Sequence, residues 1–122
     1  MGRGKLTGVK YILLMYADPA ETKAMSSQQR DIVARKHEGV VAELTASGEL
    51  LDGAGLDYPW DTLTMHWSED DVTVTQGPLV SGPCQLTAYY VVRCDGPDHA
   101  RKIAVQLLDF HVTAVEVRRI HT

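Results

Sequence analysis

The residues of this sequence that could transfer a proton are five histidines and a set of carboxylates spread along the chain. His37 comes first, because it falls on the apolar stripe of a predicted helix, one turn after Val33 and just before Val40. Burial lowers the pKa of an imidazole and keeps a neutral base available. We therefore take His37 as the first candidate for acid–base chemistry. The alternative is a histidine at the helix edge that bonds to a backbone carbonyl.

The other histidines are weaker candidates. His111 could line a pocket, whereas His66 alternates onto the polar face of a strand, His99 falls in a helix's first turn, and His121 is near the terminus. No two histidines have i, i+4 spacing, and the two cysteines form no Cys-x-x-Cys motif. Metal sites commonly use such spacings. The sequence therefore predicts neither a metal nor a cofactor.

Several function classes are excluded by motif and by charge. The chain has no Gly-x-Gly-x-x-Gly, no phosphate loop and no Gly-x-Ser-x-Gly elbow, which argues against nucleotide and acyl-serine chemistry. Its net charge is −4, and its basic residues occur only in small clusters. Because phosphate binding needs a concentrated basic surface, nucleic acid is not an expected partner.

Hydropathy and cysteine usage indicate the compartment. No apolar run approaches the roughly 20 residues that cross a bilayer, and the run at 11–17 is too short for a signal peptide. Cys84 and Cys94 bracket one apolar run, and in a single strand they would lie on the order of 30 Å apart. We expect free thiols, no membrane association and a cytoplasmic location.

Alternation, capping residues and chain breakers predict the order of the elements. Ser26 and Gln29 form a capping box, and Gly48 ends the helix that comes after it. Pro97 starts a second helix, whose apolar residues recur at helical spacing. The predicted strands cover 11–16, 50–56, 62–67, 72–75, 86–94 and 115–120, the middle pair forming a hairpin.

This order, β-α-β then a hairpin then β-α-β, predicts an α+β fold. We expect a ferredoxin-like split βαβ with an inserted hairpin, in which two helices cover one face of an antiparallel sheet. Residues 1–9 read as a flexible leader and 10–122 as a single domain. The strands are apolar on both sides, so the open face needs a cover. A second copy of the chain would supply it, and we expect a homodimer.

Several separated segments of the chain resemble the YCII-related (DGPF-type) family. They are 10–18 (KYILLMYAD), 35–44 (RKHEGVVAEL), 51–56 (LDGAGL), 72–79 (VTVTQGPL), 85–92 (QLTAYYVV) and 115–118 (VEVR). The resemblance spans nearly the whole chain from Lys10 and implies a dimeric α+β barrel. Where the family has Asp-Gly-Pro-Phe, this chain has Gln76-Gly77-Pro78-Leu79, and Ser-Gly-Pro-Cys occupies 81–84 in place of a charged segment. The ionisable groups of that loop are absent, so their role does not carry over.

The resemblance also implies a catalytic pair. In the broader family a helix histidine at the place of His37 is proposed to work with an aspartate as an acid–base pair. Asp109, at the end of the second helix, is our candidate for that aspartate; Asp52 and Asp18 are rivals, and Asp109 could instead simply be solvated. A sheet face with tyrosines beside glycines would suit an aromatic or polyketide-like ligand. Candidates for binding it are Tyr16, Asp18, Asp52, Tyr89 and His111.

The expected function is that of a cofactor-independent enzyme for a small organic molecule. His37 would drive an elimination, dehydration or isomerisation by moving a proton. The alternatives are a non-catalytic dimer that binds a small molecule, a protein–protein module, and a cofactor-free monooxygenase of the same fold class.

Overall fold

The computed structural model describes residues 8–121, and its central element is the first strand, β1 (Val9–Ala17). Its alternate residues point to the core and are buried, namely Tyr11, Leu13, Met15 and Ala17. The strand pairs with one neighbour on each side. This confirms the central strand predicted over 11–16. Residues 1–7 of the predicted leader lie outside the described residues, and Val9 already pairs with Cys94.

Three α-helices arise from local signals within residues 8–121. Asp18 accepts a hydrogen bond from the Ala20 amide and caps the short helix α1 (Pro19–Ala24), which the sequence analysis did not predict. Ser26 and Gln29 form the predicted capping box of α2 (Ser27–Ser47). Gly48 ends α2 at a φ of 79°, a left-handed conformation that favours glycine. The third helix, α3 (Pro97–Leu107), starts at the predicted proline.

Four strands form the main sheet. They are β1, β2 (Leu50–Gly55), β5 (Gln85–Cys94) and β6 (Ala114–Arg119), in the order β2-β5-β1-β6. Every neighbouring pair is antiparallel. A register irregularity between Met15 and Tyr16 places Thr87 of β5 in a bulge. The arrangement is an α+β fold compatible with a ferredoxin-like architecture, and the additional short helix α1 corrects the expectation of two helices.

The core lies between α2, α3 and one face of this sheet. The largest fully buried side chains come from the central strands and from α3 and the loop after it: Leu13, Met15, Val92, Leu107 and Val112. The opposite face of the sheet, which we call the open face, carries Ile12, Leu14 and Tyr16 of β1, all half-buried. No helix of residues 8–121 is both long and apolar enough to span a membrane.

The inserted hairpin forms a sheet of its own. Strands β3 (Leu63–Ser68) and β4 (Asp71–Gln76) pair with each other, and Glu69 and Asp70 form the turn with positive φ. This confirms the predicted hairpin. One face of it is apolar and exposed, with Trp67 72% exposed, and we call it the hairpin face; it consists of Leu63, Met65, Trp67, Val72 and Val74.

Candidate functional site

A cleft of about 410 Å³ opens between α2 and the helix-covered side of the sheet, and we call it the His37 cleft. Its apolar lining comes from Met15, Val33, Ala54, Leu56, Ala88 and Val112. Its polar side chains are His37, Thr87, Tyr90 and His111. Neither a carboxylate nor an ammonium group lines it, so the imidazoles are its principal proton-transfer groups.

His37 reaches this cleft because α2 places it one turn after buried Val33 and just before buried Val40. Its Nδ1 lies 3.2 Å from the Tyr90 hydroxyl, and the two rings meet edge to face at a centroid distance of 6.4 Å. No described residue bonds to Nε2, which is also accessible to solvent. One ring nitrogen is thus fixed by the protein, and the other is free to meet a ligand.

The protonation state of His37 is set chiefly by burial. Desolvation lowers the pKa of His37 below its ordinary value of 6.5. The Asp109 carboxylate opposes this and raises the pKa, while the charges of Lys36 and His111 lower it. The net direction is downward. The neutral imidazole is therefore the dominant form at neutral pH, as a general base requires.

Tyr90 is the partner that holds His37. Burial raises the pKa of the Tyr90 phenol above 10.0, so the hydroxyl keeps its proton and can donate or accept a hydrogen bond. Tyr90 lies on β5 directly opposite Gly53 of β2. A phenol on a strand therefore meets an imidazole on a helix across the space between the two layers.

Asp109 organises the loop after α3. Its Oδ1 accepts hydrogen bonds from the amides of His111 (2.7 Å) and Val112 (2.5 Å), and its own amide donates to the Val112 carbonyl. Its Oδ2 lies 3.5 Å from Lys36 Nζ, and Lys36 also donates to the Leu108 carbonyl. Asp109 makes no hydrogen bond to His37. It acts on His37 through its charge, and the catalytic pair expected from the resemblance stays a prediction.

His111 shares the cleft with His37. Its Nε2 lies 2.8 Å from Thr22 Oγ1, and that hydroxyl also lies 3.0 Å from the Asp18 carbonyl oxygen. A hydroxyl has one proton, which Thr22 donates to Asp18, so Thr22 Oγ1 accepts a hydrogen bond from Nε2. We therefore assign the proton of neutral His111 to Nε2. Its Nδ1 is buried without a hydrogen-bond partner.

The remaining predicted site residues lie elsewhere. Tyr16 and Tyr89 are on the open face, where Tyr16 donates to Glu116 (2.5 Å) and Tyr89 to Asp52 (3.3 Å). The hydrogen bond to Glu116 is the main cause that raises the pKa of Tyr16, and the Asp52 charge raises that of Tyr89. These residues do not share a cleft with His37.

A larger cleft of about 760 Å³ lies at the edge of the open face, and we call it the loop cleft. The altered loop contributes Pro78 and Leu79 to its wall, and Cys84 lines it as well. Its carboxylates are Asp57 and Asp61, and no histidine lines it. The larger volume thus lies away from the imidazoles.

Metal-binding groups do not converge in the part of the chain that the structure describes. No three His, Cys, Asp or Glu residues among positions 8–121 are grouped so that they could hold an ion. Cys84 is exposed and Cys94 buried, and both are free thiols, as predicted. His66 is exposed, also as predicted. His99 instead pairs with Glu49.

Sequence reasoning missed two polar neighbours of the imidazoles and one nearby cation. The sequence analysis singled out none of Tyr90, Thr22 and Lys36. The sequence does predict a strand that contains Tyr90 and another that contains Gly53, but it does not show that these two strands are neighbours in the sheet. Only the register of the folded sheet pairs Tyr90 with Gly53.

No family model matches the chain, and no curated protein matches it. The resemblance to the YCII-related family therefore stands on the quoted segments alone.

Proposed function

We propose that this protein is a cofactor-independent acid–base enzyme that acts on a small organic molecule through His37. The observation that carries the proposal is the geometry of that side chain. Its Nδ1 is held by Tyr90 at 3.2 Å, while Nε2 is accessible on the wall of the cleft. A base needs an oriented nitrogen and a partner that fixes its tautomer. The Tyr90 contact orients the ring, and Nε2 can take a proton in the tautomer whose Nδ1–H donates to the Tyr90 oxygen.

The reaction class is inferred from the imidazole of His37, which burial keeps neutral and which lines the cleft. His37 Nε2 takes a proton from a carbon next to a carbonyl group, and the C–H electron pair moves toward the carbonyl. In an isomerisation the proton is returned at another carbon. In a dehydration it goes to the departing hydroxyl, which leaves as water. Tyr90 keeps the imidazole in place through either sequence.

The cleft favours an uncharged ligand. Its lining is mostly apolar and offers no fixed countercharge, so a charged group would lose its hydration without compensation. A volume of about 410 Å³ falls within the roughly 300–1,000 Å³ of small-molecule pockets. A hydroxylated aromatic ketone or a similar polyketide-like compound is the class we propose.

The resemblance to the YCII-related family supports His37 as the working histidine and implies a dimer. We propose a ferredoxin-like fold that pairs through its open face to give a dimeric α+β barrel. The half-buried Ile12, Leu14 and Tyr16 on that face support this, because such a surface calls for a cover.

Proton exchange tests the proposal directly. The protein is incubated in D2O with a panel of hydroxylated aromatic ketones, and deuterium incorporation and water loss are followed by NMR. We expect His37→Gln to lower the rate by about 10²–10⁴, the usual contribution of a general base. His66→Gln, at an exposed histidine outside the cleft, is the matched control and should retain the wild-type rate.

Equal rates for His37→Gln and the wild type would rule out His37 as the base. An oxygen electrode on the same panel separates this chemistry from a monooxygenase, which would consume oxygen. Oxygen uptake that accompanies turnover would replace the lyase or isomerase assignment.

A second candidate, a non-catalytic binding protein, is favoured by the loop cleft. That cleft is larger than the His37 cleft and has no histidine to act as a base. Ligand binding to the folded state raises its stability, so a thermal-shift screen with uncharged aromatic compounds tests this candidate. Stabilisation that Leu79→Asp abolishes and His37→Gln leaves intact would favour binding over catalysis.

A further inference from the structure

Gly53 and Tyr90 face each other across β2 and β5 on the helix-covered side of the sheet. Gly53 thus lies beside the ring whose hydroxyl contacts His37 Nδ1. Both residues also line the His37 cleft. The Tyr90 ring therefore connects the glycine backbone of β2 to the imidazole on α2.

The Tyr90 ring occupies the space that any other residue at position 53 would need. A methyl group there would overlap Cδ1 of Tyr90, and would lie 3.0 Å from Cε1 and 3.1 Å from the Tyr89 carbonyl oxygen. Carbon atoms normally approach to about 3.5–4.0 Å. The ring would therefore have to move, because the carbonyl is part of the sheet backbone.

Backbone conformation does not explain this glycine. Its φ lies outside the left-handed region that favours glycine, so alanine could adopt the same backbone angles. Gly55, two residues further along β2, has no atom within 4 Å of an added Cβ. The requirement for a missing side chain is thus specific to the position under the Tyr90 ring.

We propose that Gly53 is a positioning residue for the proposed acid–base site: its missing side chain lets the Tyr90 ring lie against β2 and so brings the hydroxyl to His37 Nδ1. The inference rests on the proposed function for its purpose, but its structural content concerns only the Gly53, Tyr90 and His37 contacts. The hydrogen bond is already long at 3.2 Å, so a displaced ring loses it.

The test monitors the His37 ring nitrogens by NMR of ¹⁵N-histidine-labelled protein at neutral pH. Gly53→Ala should shift the Nδ1 resonance of His37 in the same direction and by a similar amount as Tyr90→Phe, which removes the hydroxyl. Gly55→Ala is the matched control on the same strand and should leave the resonance unchanged. In the Tyr90→Phe background, Gly53→Ala should produce no further shift of comparable size.

A wild-type Nδ1 resonance in Gly53→Ala, with Tyr90→Phe shifted, would overturn the proposal. If Gly53→Ala does not fold, the same substitution is made with Tyr90→Ala, where the space is vacant. The double variant should then fold as well as Tyr90→Ala alone; failure to fold would show that something other than the ring requires the glycine. The readout is independent of turnover, so an inactive wild type would count against the proposed function and not against this inference.

Discussion

At the scale of single residues, the site is a histidine whose protonation is set by groups of opposite sign. Burial lowers the pKa of His37, the Asp109 carboxylate raises it, and the Lys36 ammonium lowers it. Asp109 and Lys36 also pair with each other at 3.5 Å. Each of the two charges can be removed by a single substitution, and the pKa of His37 measures the effect.

The two removals should move the pKa of His37 in opposite directions. Lys36→Met deletes a like charge, so we expect a higher pKa. Asp109→Asn deletes the opposite charge and should lower the pKa further, while the amide oxygen still accepts the His111 and Val112 amides. An NMR titration of the imidazole measures both. Movement in the same direction for both variants would contradict the electrostatic account.

Stability should depend on pH through the same group. The pKa of His37 is lower in the folded than in the unfolded chain, so below about pH 6.5 the unfolded state binds more protons and stability decreases as the pH decreases. Above this range His37 contributes no pH dependence. We expect His37→Gln to flatten part of the acid-side decrease in Tm. If Tm decreases with pH as steeply in His37→Gln as in the wild type below pH 7, burial does not lower the pKa of His37.

At the scale of elements, local sequence signals predict where helices begin and end better than they predict which strands and side chains lie next to each other. The capping box at Ser26 and Gln29 and the glycine cap at Gly48 are decided within one turn, and both were predicted. The short helix α1 was missed, because Asp18-Pro19 also has the pattern of a simple strand end. Its cap is a single contact from Asp18 to the Ala20 amide.

The pairing of Tyr90 with His37 could not be predicted in the same way. It depends on which residue of β5 lies opposite Gly53, and that register is fixed by the whole sheet. Periodicity places His37 on the inner face of α2 but does not identify the strand residue beneath it. The partner of Tyr16 was equally unpredictable, because the bulge places Leu86, and not Thr87, opposite it.

The capping box supports the helix that carries His37, and its contribution can be measured. Ser26→Ala removes the acceptor for the Gln29 amide at 3.1 Å, and we expect a loss of about 1 kcal/mol in the free energy of unfolding. Urea denaturation measures it. The adjacent Ser27→Ala is the control, because Ser27 makes no capping bond, and it should change stability by less than about 0.5 kcal/mol.

At the scale of the whole molecule, α2 and α3 cover one side of the sheet, and the side chains of the open face remain partly exposed. The open face and the hairpin face both expose large apolar side chains. A soluble monomer rarely exposes contiguous apolar patches above a few hundred Å². The proposed dimer would bury the open face, and the hairpin face lies outside the main sheet as a separate apolar surface.

A charge on the open face should separate the copies. Leu86 is exposed on that face opposite Tyr16, so we expect Leu86→Asp to shift the protein toward a monomer in analytical ultracentrifugation. Val105→Asp introduces the same charge at an exposed apolar position of α3, away from the open face, and should leave the mass unchanged. A wild-type protein that is monomeric at all concentrations measured would contradict the proposed dimer.

The bulge in β5 has a consequence for how this chain can change length. Leu86 and Thr87 together oppose Tyr16, so loss of one of them would restore a regular strand and leave all other side chains of β5 on their present faces. A deletion further along β5 would turn part of the strand inside out. Thr87 also lines the His37 cleft, and its carbonyl accepts the Leu56 amide. Insertions and deletions that the sheet tolerates are therefore expected at the rim of the cleft, where they reshape the cleft and spare the core.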